Sequence, residues 1–578
     1  MSKTTFKIDG KAFHPSRNIT EIVFPAGRWV EFAHGGEEYW YGHGFAHVQP
    51  YPLERGKIIN DNFAVNNIQC PMWMSSTGFI IFVPTTLPLA VRINEDGNRT
   101  LRLCCNVAPL KINVIRGKNL REAINFLLKK LGWPPPLPDR AFFGDVIFCT
   151  WTQYPRCITQ ERIIRTAREI RTREYPCSII TVDDRWESAY GELRFSKDFP
   201  DPRSMVEELK KMGFSTLLWV TPFVNVESST FHELEKRGLL VRGSDGLNSA
   251  LFRWWGGQAG LLDLTSPGSW AWFVDRLVSL KKEYGIAGFK IDGGDAKYQP
   301  SAGSIWHNYA GPSGFCDKLL SVFEQIAPGW CESRTAWLSQ NRQIVWRQGG
   351  KDSHWGEDNG LKAMVHLALH MSLMGYDFFI PDMIPGRVQT LVSTMPIPTD
   401  ELMVRWVEAS AFMPVMQFSY FPWNYEEQTA RICLQYANVH KALGSYLYRY
   451  TRNRTVPIIR PLWFDSPDEK ELYSVDDEFL LGHDILVAPV LEPGRTIRNV
   501  ILPPGKWYDC WTGKVCSGTM LNHPAPCPGI PVFVRTYNRR LFELLHSNLK
   551  EIRCGTIQSG VTSASYQAGI DRDLNITG

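Results

Sequence analysis

The chain has 578 residues, 44% of them hydrophobic and 21% charged, with a formal net charge of +4. That length exceeds one ordinary hydrophobic core, so two to four domains are expected. The small net charge, with no run of five like charges, argues against a nucleic-acid or membrane-surface role, since either draws on a basic patch.

In chain order, the N-terminus MSKTTFKIDGKAFHP has no apolar core of signal-peptide length. Residues 20–115 are predicted to be all-β, with short alternating runs such as WVEFAHG and GFIIFVPT separated by Gly, Asn and Asp turns, and a β-sandwich is expected. The apolar run 79–91 is short and broken by Pro84 and Pro88, so no membrane span is expected. LREAINFLLKKLG (120–132) has helical spacing and is stopped by the linker WPPPLPDR.

From residue 141 strand-like runs alternate with amphipathic helices. Eight strand candidates lie at 142–151, 177–184, 215–225, 288–295, 329–337, 342–350, 376–384 and 411–419. Eight β/α units predict a (β/α)8 TIM barrel over 141–440. A doubly wound sheet is the alternative, but no Gly-rich phosphate loop follows the first strand. Residues 441–543 read as a C-terminal β-sandwich, and 544–578 as a loosely packed tail without clear periodicity. The expected division is therefore 1–118, 119–140 (helix and Pro-rich linker), 141–440, 441–543 and 544–578.

The segment GFKIDGGDAKY (288–298) is the most informative. An apolar β-type run ends in Asp292, followed at once by two glycines, which places an acid at a strand end with room for a ligand. WGEDNGL (355–361) supplies a second acid, Asp358, in a Gly-flanked loop. Two carboxylates on one barrel rim suit glycoside hydrolysis. Asp183, Asp184, Asp352 and Asp382 also fall at or beyond strand ends, where like charges drive pKa values apart. Lys290 lies two residues before Asp292, on the same strand face, and is read either as the cation that keeps Asp292 ionised or as a structural ion pair. Trp is abundant, at 21 residues, and flat rings stack on sugar faces. Thirteen cysteines show no CxxC or His-bearing spacing, so zinc is not expected. Cys510, Cys516 and Cys527 lie close enough for a disulfide, whose pairing the sequence does not fix.

KIDGGD, WGEDN, ILVAPVLEPG and ILPPGKWYDCWTG resemble motifs of glycoside hydrolase family 31, over about residues 140–540. FKID, the loop GGKDSHWGEDNGL, GYDFFIPDMI, RWW at 253–255 and MQFS at 416–419 look closest to that family's myogenesis-regulating glycosidase branch. The resemblance implies a retaining hydrolase of terminal α-linked hexoses. Asp292 would be the nucleophile and Asp358 the general acid/base, with carboxyl groups about 5–5.5 Å apart. It makes Arg334, Lys290 and Trp355 substrate-binding residues, together with Trp254 and Trp255, which would shape the pocket. Asp183 or Asp184 would bind distal hydroxyls, with the register favouring Asp184. YWYGHGFAHVQPYPL (39–53) resembles a segment of the N-terminal domain that reaches the active site.

Family α-glucosidases place a His where Ser419 stands here in AFMPVMQFS, and the branch is associated with α-galactosides, so an α-galactoside is the expected substrate. An α-glucosidase or transglycosylase, or an inactive sugar-binding regulatory protein, are the alternatives. No cofactor is implied, because carboxylates supply both proton transfer and covalent catalysis. The implied partner is an oligosaccharide or glycoconjugate, not nucleic acid, and the oligomeric state is open. Without a signal-peptide core the chain is read either as cytosolic or as a piece of a longer secretory protein, and the branch, with a longer N-terminal region and often a membrane anchor, suggests the secretory pathway if it is a piece.

Overall fold

The computed structural model describes residues 6–13, 19–33, 36–155, 157–300, 303–386 and 396–554. Two antiparallel sheets form the N-terminal region. One runs in the order 11–13, 6–8, 30–33, 100–104, 89–93, 58–63, and the other 19–24, 110–116, 79–82, 69–75, 40–44. Their alternation turns Val30, Phe32, Trp73, Val91 and Ile112 into the core. Helix Leu120–Lys130 follows, capped by Asn119, whose side chain accepts from the Glu122 amide.

The centre is a parallel barrel. Its strands are β1 (Val146–Cys149), β2 (Cys177–Val182), β3 (Ser215–Val220), β4 (Gly288–Ile291), β5 (Cys331–Ser333), β6 (Val345–Arg347), β7 (Phe379–Ile380 resuming as Met383–Ile384) and β8 (Gln417–Phe418). They pair parallel in sequence order, and β8 returns to β1 through Ile147↔Gln417. The two halves of β7 split the closure: Phe379–Ile380 pairs with β6 and Met383–Ile384 pairs with β8. The chain turns between them at Asp382, whose φ is +113°.

All eight expected strands are present, but not eight β/α units. Among the described residues no helix joins β5 to β6. The short connection instead lies along the N-terminal sheets, where Gln69 N–H donates to Ala336 O at 3.2 Å. A hairpin, Leu251–Trp254 with Gly257–Leu261, is inserted after β3.

A six-stranded sheet containing 459–460, 479–481, 485–487, 532–535, 507–509 and 515–516 follows, with a separate pair 497–501 and 519–524. The expected loose tail from 544 is corrected in its first part. Helix Arg539–Lys550 runs through that boundary and buries Leu541, Leu545 and Leu549, an i, i+4, i+8 stripe, and residues 551–554 continue as a 3₁₀ turn. The rest of that segment lies outside the described residues. The twelve cysteines whose side chains are described, Cys510, Cys516 and Cys527 among them, are free thiols.

Buried Asp377 ties three regions together. It accepts from Trp133 Nε1 at 3.0 Å and from the Ile458 amide at 3.1 Å, and it pairs with Arg454 Nε at 3.1 Å. Asp377→Ala leaves a buried guanidinium and two N–H groups unmatched. It is expected to cost about 3–5 kcal/mol, read as a fall in the urea midpoint with an unchanged slope.

Candidate active site

A cavity of about 440 Å³ opens at the carboxyl ends of the barrel strands. That is where this fold collects its functional side chains. Asp292 stands on its wall, one residue past β4. Gly293 follows with φ +81°, a conformation costly to any residue with a Cβ, and a Cβ there would also meet the Phe223 ring at 2.6 Å. The turn sends the Gly293 amide to Asp292 Oδ1 at 2.8 Å. Trp219, near the end of β3, donates Nε1–H to Oδ2 at 3.1 Å, and Arg334 Nε donates to Oδ1 at 2.7 Å. The carboxylate is 17% exposed. Burial pushes its pKa up, but Arg334, Arg347 and the two N–H donors outweigh it and hold the carboxyl at about 2.

Arg334 is a hub. Its Nη2 lies 2.6 Å from Asp295 Oδ2, and its Nη1 donates to Asp295 Oδ1 at 3.0 Å and to Asn67 Oδ1 at 2.8 Å. Burial works against the charge, and Asp292 and Asp295 more than offset it, so the guanidinium stays protonated.

Lys290 lines the cavity but does not serve Asp292. Its ammonium is 2.7 Å from Asp183 Oδ2, 3.7 Å from Glu332 Oε1 and 3.2 Å from Cys149 Sγ. The pleat turns Lys290 into the barrel beside its register partner Glu332, so the cations that keep Asp292 ionised are Arg334 first and Arg347 second. Glu332 in turn meets Arg347 Nε at 3.2 Å.

Of the two adjacent acids, Asp183 faces the cavity. Asp184 lies behind it, accepting from the Tyr190 hydroxyl at 2.7 Å, and burial raises its carboxyl to about 7. The register favouring Asp184 is thereby corrected. Trp255 lines the cavity with Trp151 and Trp219, while Trp254 packs behind, donating to Asn225 Oδ1 at 2.9 Å and stacking on Trp219 at 6.4 Å.

Trp355 and Asp358 are not on the cavity wall. The Asp358 carboxyl is 64% exposed and lies 3.7 Å from His354 Nδ1. The next residue, Asn359, does line the cavity. The two candidate catalytic carboxyls therefore do not share a wall in this conformation. Ser419 is buried and accepts from the Thr152 amide at 2.8 Å, a bond between the ends of β8 and β1.

Phe45, His47 and Asn67 bring the N-terminal region to the cavity, with Phe45 and His47 inside the segment expected to reach it. Trp151, Trp219, Asp295, Lys297, Tyr298, Arg347 and Asn67 were not singled out from sequence. Asp295 could have been, since it closes the KIDGGD motif itself. Among the described residues no His/Cys/Asp/Glu cluster fit for a metal is found, and no helix is long and apolar enough to cross a membrane.

An ionised carboxylate, an arginine hub and an indole wall at the mouth of a (β/α)8 barrel flanked by β-sheet regions define a carbohydrate-active barrel protein. The Glycosyl hydrolases family 31 TIM-barrel domain matches residues 135–450, and the family's C-terminal domain matches 455–538. The chain belongs to glycosyl hydrolase family 31, a family of glycosidases. Residues 26–117 match the Myogenesis-regulating glycosidase N-terminal domain.

The chain is 32% identical to the myogenesis-regulating glycosidase of Mus musculus over 520 residues, covering 85% of this chain and 72% of that protein. It is 26% identical to the SITS-binding protein of Tetronarce californica, covering 86% and 74% respectively. The GH31 dextranase of Flavobacterium johnsoniae, solved with glucose, superposes with a TM-score of 0.77 at 21% identity, over 91% of this chain and 68% of that one.

Proposed function

We propose that the protein is a retaining α-glycoside hydrolase acting on a terminal α-linked hexose, an α-galactoside first of all. The observation that carries this reading is Asp292, held ionised on the cavity wall by Arg334 and Trp219. An ionised, largely desolvated carboxylate is a nucleophile ready for an anomeric carbon. In the first step Asp292 attacks that carbon and Asp358 gives its proton to the leaving oxygen. In the second, Asp358 takes a proton from water, which displaces Asp292 with net retention. The exposed Asp358 side chain can change rotamer on a fast timescale, and its neighbour Asn359 already lines the cavity.

Asp183 and Lys290 offer a paired acceptor and donor to hydroxyls remote from the reacting centre, and Trp151, Trp219 and Trp255 offer flat faces to the ring. The galactose preference rests on Ser419, which is spent on the Thr152 amide where family α-glucosidases carry a sugar-binding His. The expected domain division, with a catalytic barrel between two β-rich regions, is part of the same proposal.

The exposure of Asp358 favours one second reading, a sugar-binding protein without turnover. A panel of p-nitrophenyl α- and β-glycosides separates the two. Release from the α-galactoside is expected. Release from the α-glucoside alone keeps the carboxylate pair and overturns the sugar. Binding of sugars without release from any glycoside selects the second reading.

A further inference from the structure

Asp382, the acid between the two halves of β7, lies outside the cavity wall. It is fully buried at φ +113°, a backbone that strains any residue with a Cβ. Its Oδ2 accepts from the Lys351 amide at 2.5 Å. Lys351 opens the loop that carries Asp358, and its Nζ donates to Asn359 Oδ1 at 3.3 Å. Asn359 Nδ2 closes the same loop on Asp352 Oδ2 at 2.8 Å and Gly350 O at 3.0 Å. A second tie joins the loop to the end of β7, where Ser353 Oγ donates to Pro385 O at 2.9 Å. Glycine would accept the φ of residue 382 without strain, but would leave the buried Lys351 N–H without its acceptor.

We propose that Asp382 is a positioning residue, whose carboxylate anchors the head of the 351–359 loop to β7 and so fixes where Asp358 is presented to the leaving-group oxygen. The proposal rests on Asp358 acting as the general acid. A residue that acts through the general acid matters when the leaving group needs a proton and matters little when it does not. Asp382→Gly removes the acceptor while suiting the backbone, and Asp382→Asn keeps an acceptor oxygen in place.

On an alkyl glycoside, a poor leaving group, Asp382→Gly is expected to lose about 100-fold in kcat. On the glycosyl fluoride it loses less than about 10-fold, and Asp382→Asn recovers most of the alkyl-glycoside rate. Equal losses on both substrates, or no loss, overturn the proposal. If Asp382→Gly does not fold, Ser353→Ala takes its place. The same leaving-group dependence, smaller in size, supports the tie, and its absence overturns it. Amide hydrogen exchange supplies a readout without turnover: exchange over 351–359 is expected to quicken in the variant and stay unchanged over β1 to β4. Unchanged loop exchange overturns the anchor. Should the wild type hydrolyse nothing, the hydrolase reading fails by itself, and the exchange result still decides the anchor.

Discussion

Asp292→Asn is expected to lower turnover by at least about 10⁴-fold, as removal of a covalent nucleophile does. The amide cannot form the glycosyl ester. Its oxygen can still accept from Arg334 and Gly293, but its nitrogen then faces the Trp219 N–H, donor against donor. A moderate stability cost accompanies the loss. The Asp292 pKa, held at about 2 against an ordinary 3.8, corresponds to roughly 2 kcal/mol. Because the folded pKa is depressed, that stabilisation is fully present above about pH 3.8 and disappears as pH falls through about 2. The variant should therefore melt below the wild type at pH 7, and the gap should narrow towards pH 3. A variant that keeps near-native turnover removes Asp292 from the mechanism.

Arg334→Met carries the second large effect, because one guanidinium serves Asp292, Asp295 and Asn67 together. Breaking a buried pair from one side leaves charges uncompensated, so the change is expected to cost about 3–5 kcal/mol. It also removes the main counterweight to burial at Asp292, leaving Arg347 to oppose it alone among the cations. The Asp292 carboxyl then rises. The acid limb of kcat/KM should move to higher pH, and the plateau should fall by about 10²–10³-fold. An unmoved acid limb would show that Arg334 does not control the ionisation of Asp292. Met is chosen to fill most of the volume, so that the loss reports charge more than a cavity.

The parts of the fold that follow from local pattern were legible in the chain. Asp292 could be placed because an apolar run ending in an acid and two glycines fits a strand end, and the φ of +81° at Gly293 is the physical reason for the first of those glycines. The barrel strands were readable in the same way, whereas Arg334 came through the family resemblance. What was not readable depends on which neighbour a side chain meets. Lys290 and Asp292 share a strand face by spacing, yet the register puts Lys290 beside Glu332 and Asp183, and only the assembled barrel shows it.

Asp183 and Asp184 alternate by one residue, so a single step of register decided which reaches the cavity. The connection between β5 and β6, which has no helix among the described residues, meets the N-terminal sheets at residues more than 250 positions away in sequence, a contact no local pattern encodes. The C-terminal helix was hidden for a simpler reason: a boundary drawn at 543 cuts the stripe Leu541, Leu545 and Leu549 after its first member. Asp358 was found by its motif, but its solvent-facing rotamer is a matter of conformation that no motif encodes.

The proposed mechanism turns on the attack of Asp292 on the anomeric carbon. The most direct measurement is to incubate the protein with a 2-deoxy-2-fluoro or 5-fluoro α-galactosyl fluoride, digest it, and locate the added mass by peptide sequencing in the mass spectrometer. One glycosyl adduct is expected on the peptide spanning 288–298, attached at Asp292 and absent from Asp292→Asn. An adduct on Asp183, Asp358 or any other residue, or turnover of the parent glycoside with no covalent species trapped, would contradict it.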